Sequence, residues 1–549
     1  MKYGELCTFA NIYEILATEF RLPVPVRDTI SNMEIELELS LVRPVPEILD
    51  ALAFLHSLKK RVVFISDMYL PSKVIQDMLK KVGAFAPGDR IYVSNEYGKT
   101  KKTGKLFKHV LDSEGCSPDK ILHVGDNLNA DIRSAKKLGI QSLYFQNTHP
   151  NRYEKYIYKK NRLDDPACQI FTGASRAARL DCPFPAGREK VLYELGADVA
   201  APILIQYIQW VLLDAQKHNI KRLYFLSRDG QILLEIAESL QKYIKTDIEL
   251  RYLYASRLAW NFPAITELDE DSFNLFIYES PIISIEALSL KTGLDPHSIQ
   301  KAMEDYSGRT ISIHQILSKT NLSHLHQILK SPPFSETLLD LAAQKRSALI
   351  SYLEQERIFD DHCSAVVDLG WKGSLQDALL KLINTTGKIQ HCPIRGYYFG
   401  VGRLFQTHVP PQDILKSGFY YSPGHPQPPF PTRILEVFTS GDHGLTLSYT
   451  RDKDGVWLPQ LKEPRNRDVL DWGLQALRLG IRNFIKSIPR DAEIIFHRMN
   501  YYKASEHINY LINRLTLHPT KEEIAALAKY PFNMDSADLF VSDLAPSFN

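Results

Sequence analysis

Five hundred and forty-nine residues suffice for about three to four domain-sized cores, which excludes a single small module. With 44% hydrophobic and 24% charged residues the composition is that of a folding globular chain, not a disordered one. Sixty-six Lys and Arg against 64 Asp and Glu leave a formal charge of +2, too little for a global field toward nucleic acid or an anionic membrane.

In chain order, the N-terminus carries Glu5 and Glu14 and lacks a basic start followed by an apolar run, so no secretion signal is expected and a cytoplasmic location is the default. Residues 6–20 place Leu6, Phe9, Ile12, Tyr13, Leu16 and Phe20 at helical spacing, and 46–58 read as a second helix. Between them 33–41 (MEIELELSL) alternates with period 2, a pattern that favours a strand while helix stays open. Short β-rich runs at 61–65, 91–93, 121–124 and 142–145 then alternate with helical patterns at 71–82, 103–114 and 130–138, the layout of a parallel sheet with helices on its faces.

Residues 151–190 lose periodicity and read as a linker. A second α/β region spans 191–464. It opens with a helix at 191–217, whose apolar stretch 199–213 contains Pro202, Gln206 and Gln209 and falls short of the ~20 residues a membrane span needs. Strands follow at 222–226, 253–255, 365–367 and 395–399, with helical sequence at about 271–358 and at 375–383. Residues 420–433, with five Pro, read as a loop, and 465–549 as mostly helical. Six Cys form no CxxC pair and no short metal spacing, so they are expected to be core thiols.

Three loops in the first 150 residues follow apolar strands and carry the residue types of phosphoryl chemistry. Ser66 follows RVVFI and precedes a helix whose N–H groups suit a phosphate oxygen. Lys101 in KKTGKLF supplies a cation ahead of a helix. Asp126 and Asp131 in GDNLNAD follow ILHV, where Asp126 suits a Mg2+ that keeps most of its water shell.

The series ISDMY, KKTGKLF and GDNLNAD resembles the second, third and fourth signature motifs of the haloacid dehalogenase superfamily of phosphohydrolases, over about residues 1–150. The resemblance implies a Rossmann-like parallel sheet with a partial helical cap over 1–45. It implies that Ser66 and Lys101 bind the transferring phosphoryl group, and that Asp126 holds Mg2+ with Asp131 supporting the metal site. Family phosphatases also carry an earlier strand ending in Asp-x-Asp, which provides nucleophile and general acid; no such motif precedes ISDMY. Losing a covalent nucleophile removes most catalysis, on the order of a million-fold. Three readings follow: a start that omits the catalytic strand, a pseudoenzyme with a phosphate-binding crevice, or completion of the sheet by another segment.

In the second region RLYFLSRDGQIL (222–233) places Ser227, Arg228 and Asp229 in a strand-to-helix turn. SAVVDLGWKGSLQDALLKLI (364–383) places Asp368, Gly370, Lys372, Gly373 and Ser374 in another. Together they suit an anion or sugar-phosphate site. Trp371 is a reasonable ligand contact, Trp210 a core residue, and ILEVFTSGDHG offers Glu436 and His443 for acid/base work. The arrangement resembles large bacterial predicted dehalogenase-superfamily hydrolases associated with surface-polysaccharide and glycosyltransferase gene sets. That resemblance implies a phosphosugar ligand and a glycosyltransferase partner. The leading expectation is a phosphatase-like protein acting on or binding a phosphosugar, with impaired catalysis. The alternatives are a non-catalytic partner in polysaccharide assembly and a transferase with its site in the second region.

Overall fold

The computed structural model describes residues 7–159, 165–277, 282–360, 362–388, 392–402, 415–424, 430–497, 500–533 and 537–545. The chain divides into two compact units, Met1–Asn151 and Arg152–Asn549.

The first unit opens with helix α1 (Phe9–Glu19), started by a capping box in which the Thr8 side chain accepts from the Asn11 N–H. Helix α2 (Val24–Leu41) takes in the alternating segment. Its Glu, Leu and Met residues favour helix. Ile35 and Leu39, four apart, pack on Leu70, Val74 and Met78, while Met33, Leu37 and Leu41 stay exposed. Helix α3 (Pro46–Ser57) leads to β1 (Val63–Ser66), followed by α4 (Ser72–Lys81), β2 (Arg90–Val93), α5 (Lys105–Glu114), β3 (Leu122–Gly125) and β4 (Gln141–Tyr144).

β1 pairs with β2 and β3 with β4, both parallel, as two separate two-stranded sheets. Their link is apolar: Ile65 of β1 packs both on Tyr92, Leu106 and Val110 and on Phe107, Ala135 and Ile140. The other face of the second pair is open, with Leu122 62% and Leu143 55% exposed.

The second unit is built on five parallel strands in the order β6-β5-β7-β8-β9: β5 (Arg222–Leu226), β6 (Glu249–Leu253), β7 (Ser364–Trp371), β8 (Arg395–Val401) and β9 (Lys416–Tyr421). Every residue of β5 is buried. Residues 151–190, read from sequence as a linker, contribute helix α6 (Pro166–Leu180) to this unit. Its inward face is made of small residues and Phe171, and Ser175 is tied to Asp198, so its periodicity is faint in the sequence. Residues 465–549 also fold into this unit, through helix α7 (Leu474–Ser487).

Among the described residues one helix, Arg188–Lys217, is long and apolar enough to cross a membrane by length and composition, and its apolar window is wholly buried inside the unit. It packs closely on α7: a Cβ at Gly196 would collide with the Leu477 carbonyl oxygen, and one at Gly480 with that of Tyr193. Of the six cysteines expected as thiols, Cys363 and Cys392 form a disulfide with a Cα–Cα distance of 5.1 Å. They precede the adjacent strands β7 and β8, and that neighbourhood, invisible to a spacing argument, brings their side chains together.

Candidate functional site

In the first unit the three predicted loops meet at the C-terminal ends of the strands. Lys101 is tied to two of them. Its backbone N–H donates to both oxygens of Asp67, at 2.9 and 3.1 Å, and its Nζ donates to Asp131 Oδ1 at 2.7 Å. His123 Nε2 lies 3.1 Å from the same oxygen, and the Asn127 N–H donates to Asp131 Oδ2 at 2.8 Å. The Asp131 side chain is 3% exposed. Burial would raise its pKa, but the hydrogen bonds from His123, Lys101 and the Asn127 N–H outweigh burial and hold the carboxyl well below the usual range. The fit depends on Gly125, where a Cβ would collide with the Asp131 carboxylate.

Asp126 differs from Asp131 in every respect. Its carboxylate is 55% exposed, with His149 Nε2 and Thr148 Oγ1 each 3.4 Å away. Ser66 ends β1, half-buried. For Mg2+ these residues fit in part. Asp126 presents an accessible carboxylate, the donor a hard, well-hydrated cation takes. Both Asp131 oxygens are already engaged, so its place is to position Lys101 and the Asn127 backbone. Among the described residues, no group of three or more His, Cys, Asp or Glu side chains stands together to enclose a metal. His123 and Asp67 were missed by the sequence reading. The signal for His123 was its position in ILHV, one strand face from the residue before Asp126.

In the second unit the strand order reverses between β5 and β7: the chain runs outward from β5 to β6 and returns to β7 on the other side of β5. At such a reversal the connections leave in opposite directions and open a crevice beyond the strand ends, where α/β sheets bind ligands. A cavity of about 360 Å³ lies there, lined by Ser227, Arg228, Asp229, Asp368, Gly370, Lys372, Ser374 and Glu436 of the predicted set. Gly370 crosses close to β8 with φ +122°, and a Cβ there would collide with the Gly400 carbonyl oxygen. Gly373 does not line the cavity. It starts the helix Ser374–Thr385 in the left-handed region, against Lys416 and Tyr398. His443 also lies outside the lining. It is buried, with Nε2 2.7 Å from the Tyr252 hydroxyl and Nδ1 2.8 Å from the Gly444 carbonyl, and burial lowers its pKa.

Three carboxylates enter the cavity from three segments. Asp229 accepts from the Thr439 hydroxyl at 3.0 Å, and Glu436 from Trp371 Nε1 at 2.9 Å. Burial and the nearby Glu436 charge push Asp229 upward, while burial and the Asp229 charge push Asp368 upward, so the pair favours retaining a proton toward neutral pH. Burial likewise raises Glu436. Arg228 is clamped by Asp538, with its two terminal nitrogens 2.9 and 3.4 Å from the carboxylate oxygens. The sequence reading missed Asp538, 310 positions away, and Arg257, which follows β6 and carries no local motif.

Comparison with known proteins falls on the first unit. Residues 8–139 match the family of haloacid dehalogenase-like hydrolases. Over 128 residues the chain is 27% identical to the glyceraldehyde 3-phosphate phosphatase of Methanothermobacter thermautotrophicus; the match takes in 23% of this chain and 55% of that protein, so the chain spans about half the length of this curated relative.

Proposed function

We propose that the first unit binds the phosphoryl group of a small sugar phosphate at the ends of β1 and β3, and that hydrolysis by the described residues is weak. The observation that carries this reading is the placement of Lys101. Asp131 holds its ammonium while Asp67 holds its backbone, which fixes a cation where the loops of two strand pairs converge. Fixing the cation beforehand reduces the ordering cost of anion binding. Ser66 donates to a phosphoryl oxygen and Lys101 offsets its charge. Asp126 would hold Mg2+, which when bound would supply positive charge to the phosphoryl oxygens.

Among the described residues of the three loops no carboxylate stands clear of other partners to serve as nucleophile. Asp67 accepts the Lys101 N–H, Asp131 is ion-paired, and Asp126 is the metal carboxylate, so none of the three is free to attack phosphorus. The phosphatase name of the relative supports the sugar-phosphate class. A place beside glycosyltransferases in cytoplasmic polysaccharide assembly rests on the sequence resemblance alone.

The test is phosphate release and binding with a panel of sugar phosphates, with and without Mg2+, for this chain and Asp126→Ala. The reading expects Mg2+-dependent binding that the substitution removes, with little turnover. Fast turnover abolished by Asp126→Ala would show that a nucleophile is supplied after all and reverse the impairment. Binding indifferent to both Mg2+ and Asp126 would overturn the site.

A further inference from the structure

We infer that the second unit carries a ligand site of its own, in the cavity where its strand order reverses, and that this site takes a phosphorylated sugar. The inference does not rest on the first unit's chemistry. It stands on an asymmetry among the cavity's charges. Arg228 is neutralised by Asp538, as a structural cation would be. Arg257 and Lys372 line the same cavity, and among the described residues neither side chain makes a hydrogen bond or close ion pair, the Arg257 charge acting on Asp229, Asp368 and Glu436 only from a distance. Two cations without a direct partner beside a concave surface suit an anion, and Lys372 stands two residues before the 12-residue helix Ser374–Thr385, whose first N–H groups add a favourable dipole.

The same cavity also carries the other polarity. Asp229, Asp368 and Glu436 present carboxyl oxygens, which accept hydrogen bonds from hydroxyls. A ligand that satisfies both sets of groups carries an anion and several hydroxyls, and a phosphorylated sugar has that chemistry. A plain anion leaves the carboxyl groups unmatched, and a neutral sugar leaves the cations unmatched. The cavity, about 360 Å³, sits at the small end of the range for ligand sites, which suits a monosaccharide unit within it. That sugar can arrive as a free monophosphate or as part of a nucleoside diphosphate sugar whose nucleotide extends past the mouth.

All five tryptophans, at 210, 260, 371, 457 and 472, lie in the second unit, and Trp371 lines this cavity. Fluorine NMR of the full chain labelled with 5-fluorotryptophan therefore reports on this site without interference from the first unit. The Trp371 resonance is assigned by its loss in Trp371→Phe. Titration with glucose 1-phosphate, UDP-glucose, glucose and inorganic phosphate is expected to move the Trp371 signal with the phosphorylated sugars. Arg257→Ala together with Lys372→Ala should weaken that response at least about tenfold, with the Trp210 and Trp260 signals unchanged as the check that the fold is intact. A response to UDP-glucose at lower concentration than to glucose 1-phosphate assigns the nucleotide source, and the reverse the monophosphate.

A Trp371 signal that stays fixed for every probe up to roughly 10 mM overturns the inference, as does one that moves equally in the cation-deficient variant. Inorganic phosphate matching glucose 1-phosphate would reduce the cavity to an anion patch and overturn the sugar assignment. Because the first unit has no tryptophan, any of these outcomes leaves the proposal for Lys101 and Asp126 untouched, and failure of that proposal leaves this one standing.

Discussion

Two α/β units in one chain solve the same problem of placing charge at strand ends in opposite ways. In the second unit five strands run side by side, β5 is buried along its whole length, and the carboxylates of Asp229 and Asp368 sit at the centre of the sheet's edge. In the first unit the strands stand as two pairs, with β3 alternately exposed and half-buried, and the charged groups are tied to one another across the loops. The continuous sheet, with a large apolar surplus, accommodates two buried carboxyls side by side, and they respond by retaining a proton toward neutral pH. The divided one has little surplus and keeps its buried carboxylate paired with Lys101 and hydrogen-bonded to His123. Site electrostatics here follow from how complete the sheet is.

The sharpest break of this comparison is a matched pair of leucines. Leu223→Ala in β5 removes a fully buried side chain and should cost roughly 2–5 kcal/mol, whereas Leu122→Ala in β3, already 62% exposed, should cost under about 1 kcal/mol by urea unfolding. A cost for Leu122→Ala as large as that for Leu223→Ala would mean that the open face of β3 is covered in solution and the contrast is false.

Next in size is Asp131→Ala, expected to destabilise the first unit by about 3 kcal/mol because Lys101, 15% exposed, loses its partner. The pH dependence has a definite sign. Asp131 is depressed in the folded state, so its contribution is complete above the ordinary Asp range near 4 and is lost as pH falls below that range toward the depressed value. Acid unfolding of the first unit should lose this component in the variant while the second unit's transition stays in place. Limited proteolysis against pH separates the two.

How much of this was legible beforehand depends on whether the determinants were local. The strand-forming runs at 61–65, 91–93, 121–124 and 142–145 lie within two residues of β1 to β4, because a short apolar run bounded by turn residues is a local signal. The pairing of Lys101 with Asp131 was partly legible, since both residues sit in motif loops. The alternating segment 33–41 misled because only Ile35 and Leu39 are packed inward, so period 2 in composition concealed a narrow helical stripe. Helix α6 was hidden by small inward residues. Arg257 and Asp538 reach the second cavity from distant parts of the chain, and no spacing rule anticipates a contact made by topology.

The smallest effect expected is also the most discriminating for the second cavity. Asp368 is raised by burial and by the Asp229 charge, so the folded state is favoured while the pair keeps its proton and loses stability as pH rises from the ordinary carboxylate range through neutrality. Asp368→Asn keeps the shape and removes one of the two like charges, so it should flatten that loss and stabilise the second unit by about 1–2 kcal/mol at alkaline pH, with little change below pH ~4. Melting temperature measured across pH checks this. The same substitution should weaken the Trp371 response to glucose 1-phosphate, because an amide is a poorer acceptor for ligand hydroxyls. Stability gained and binding lost at one residue is what a carboxylate kept for a ligand predicts. Stability lost at all pH values would instead make Asp368 a member of the core's hydrogen-bond network, and the like-charge account of the cavity would fail.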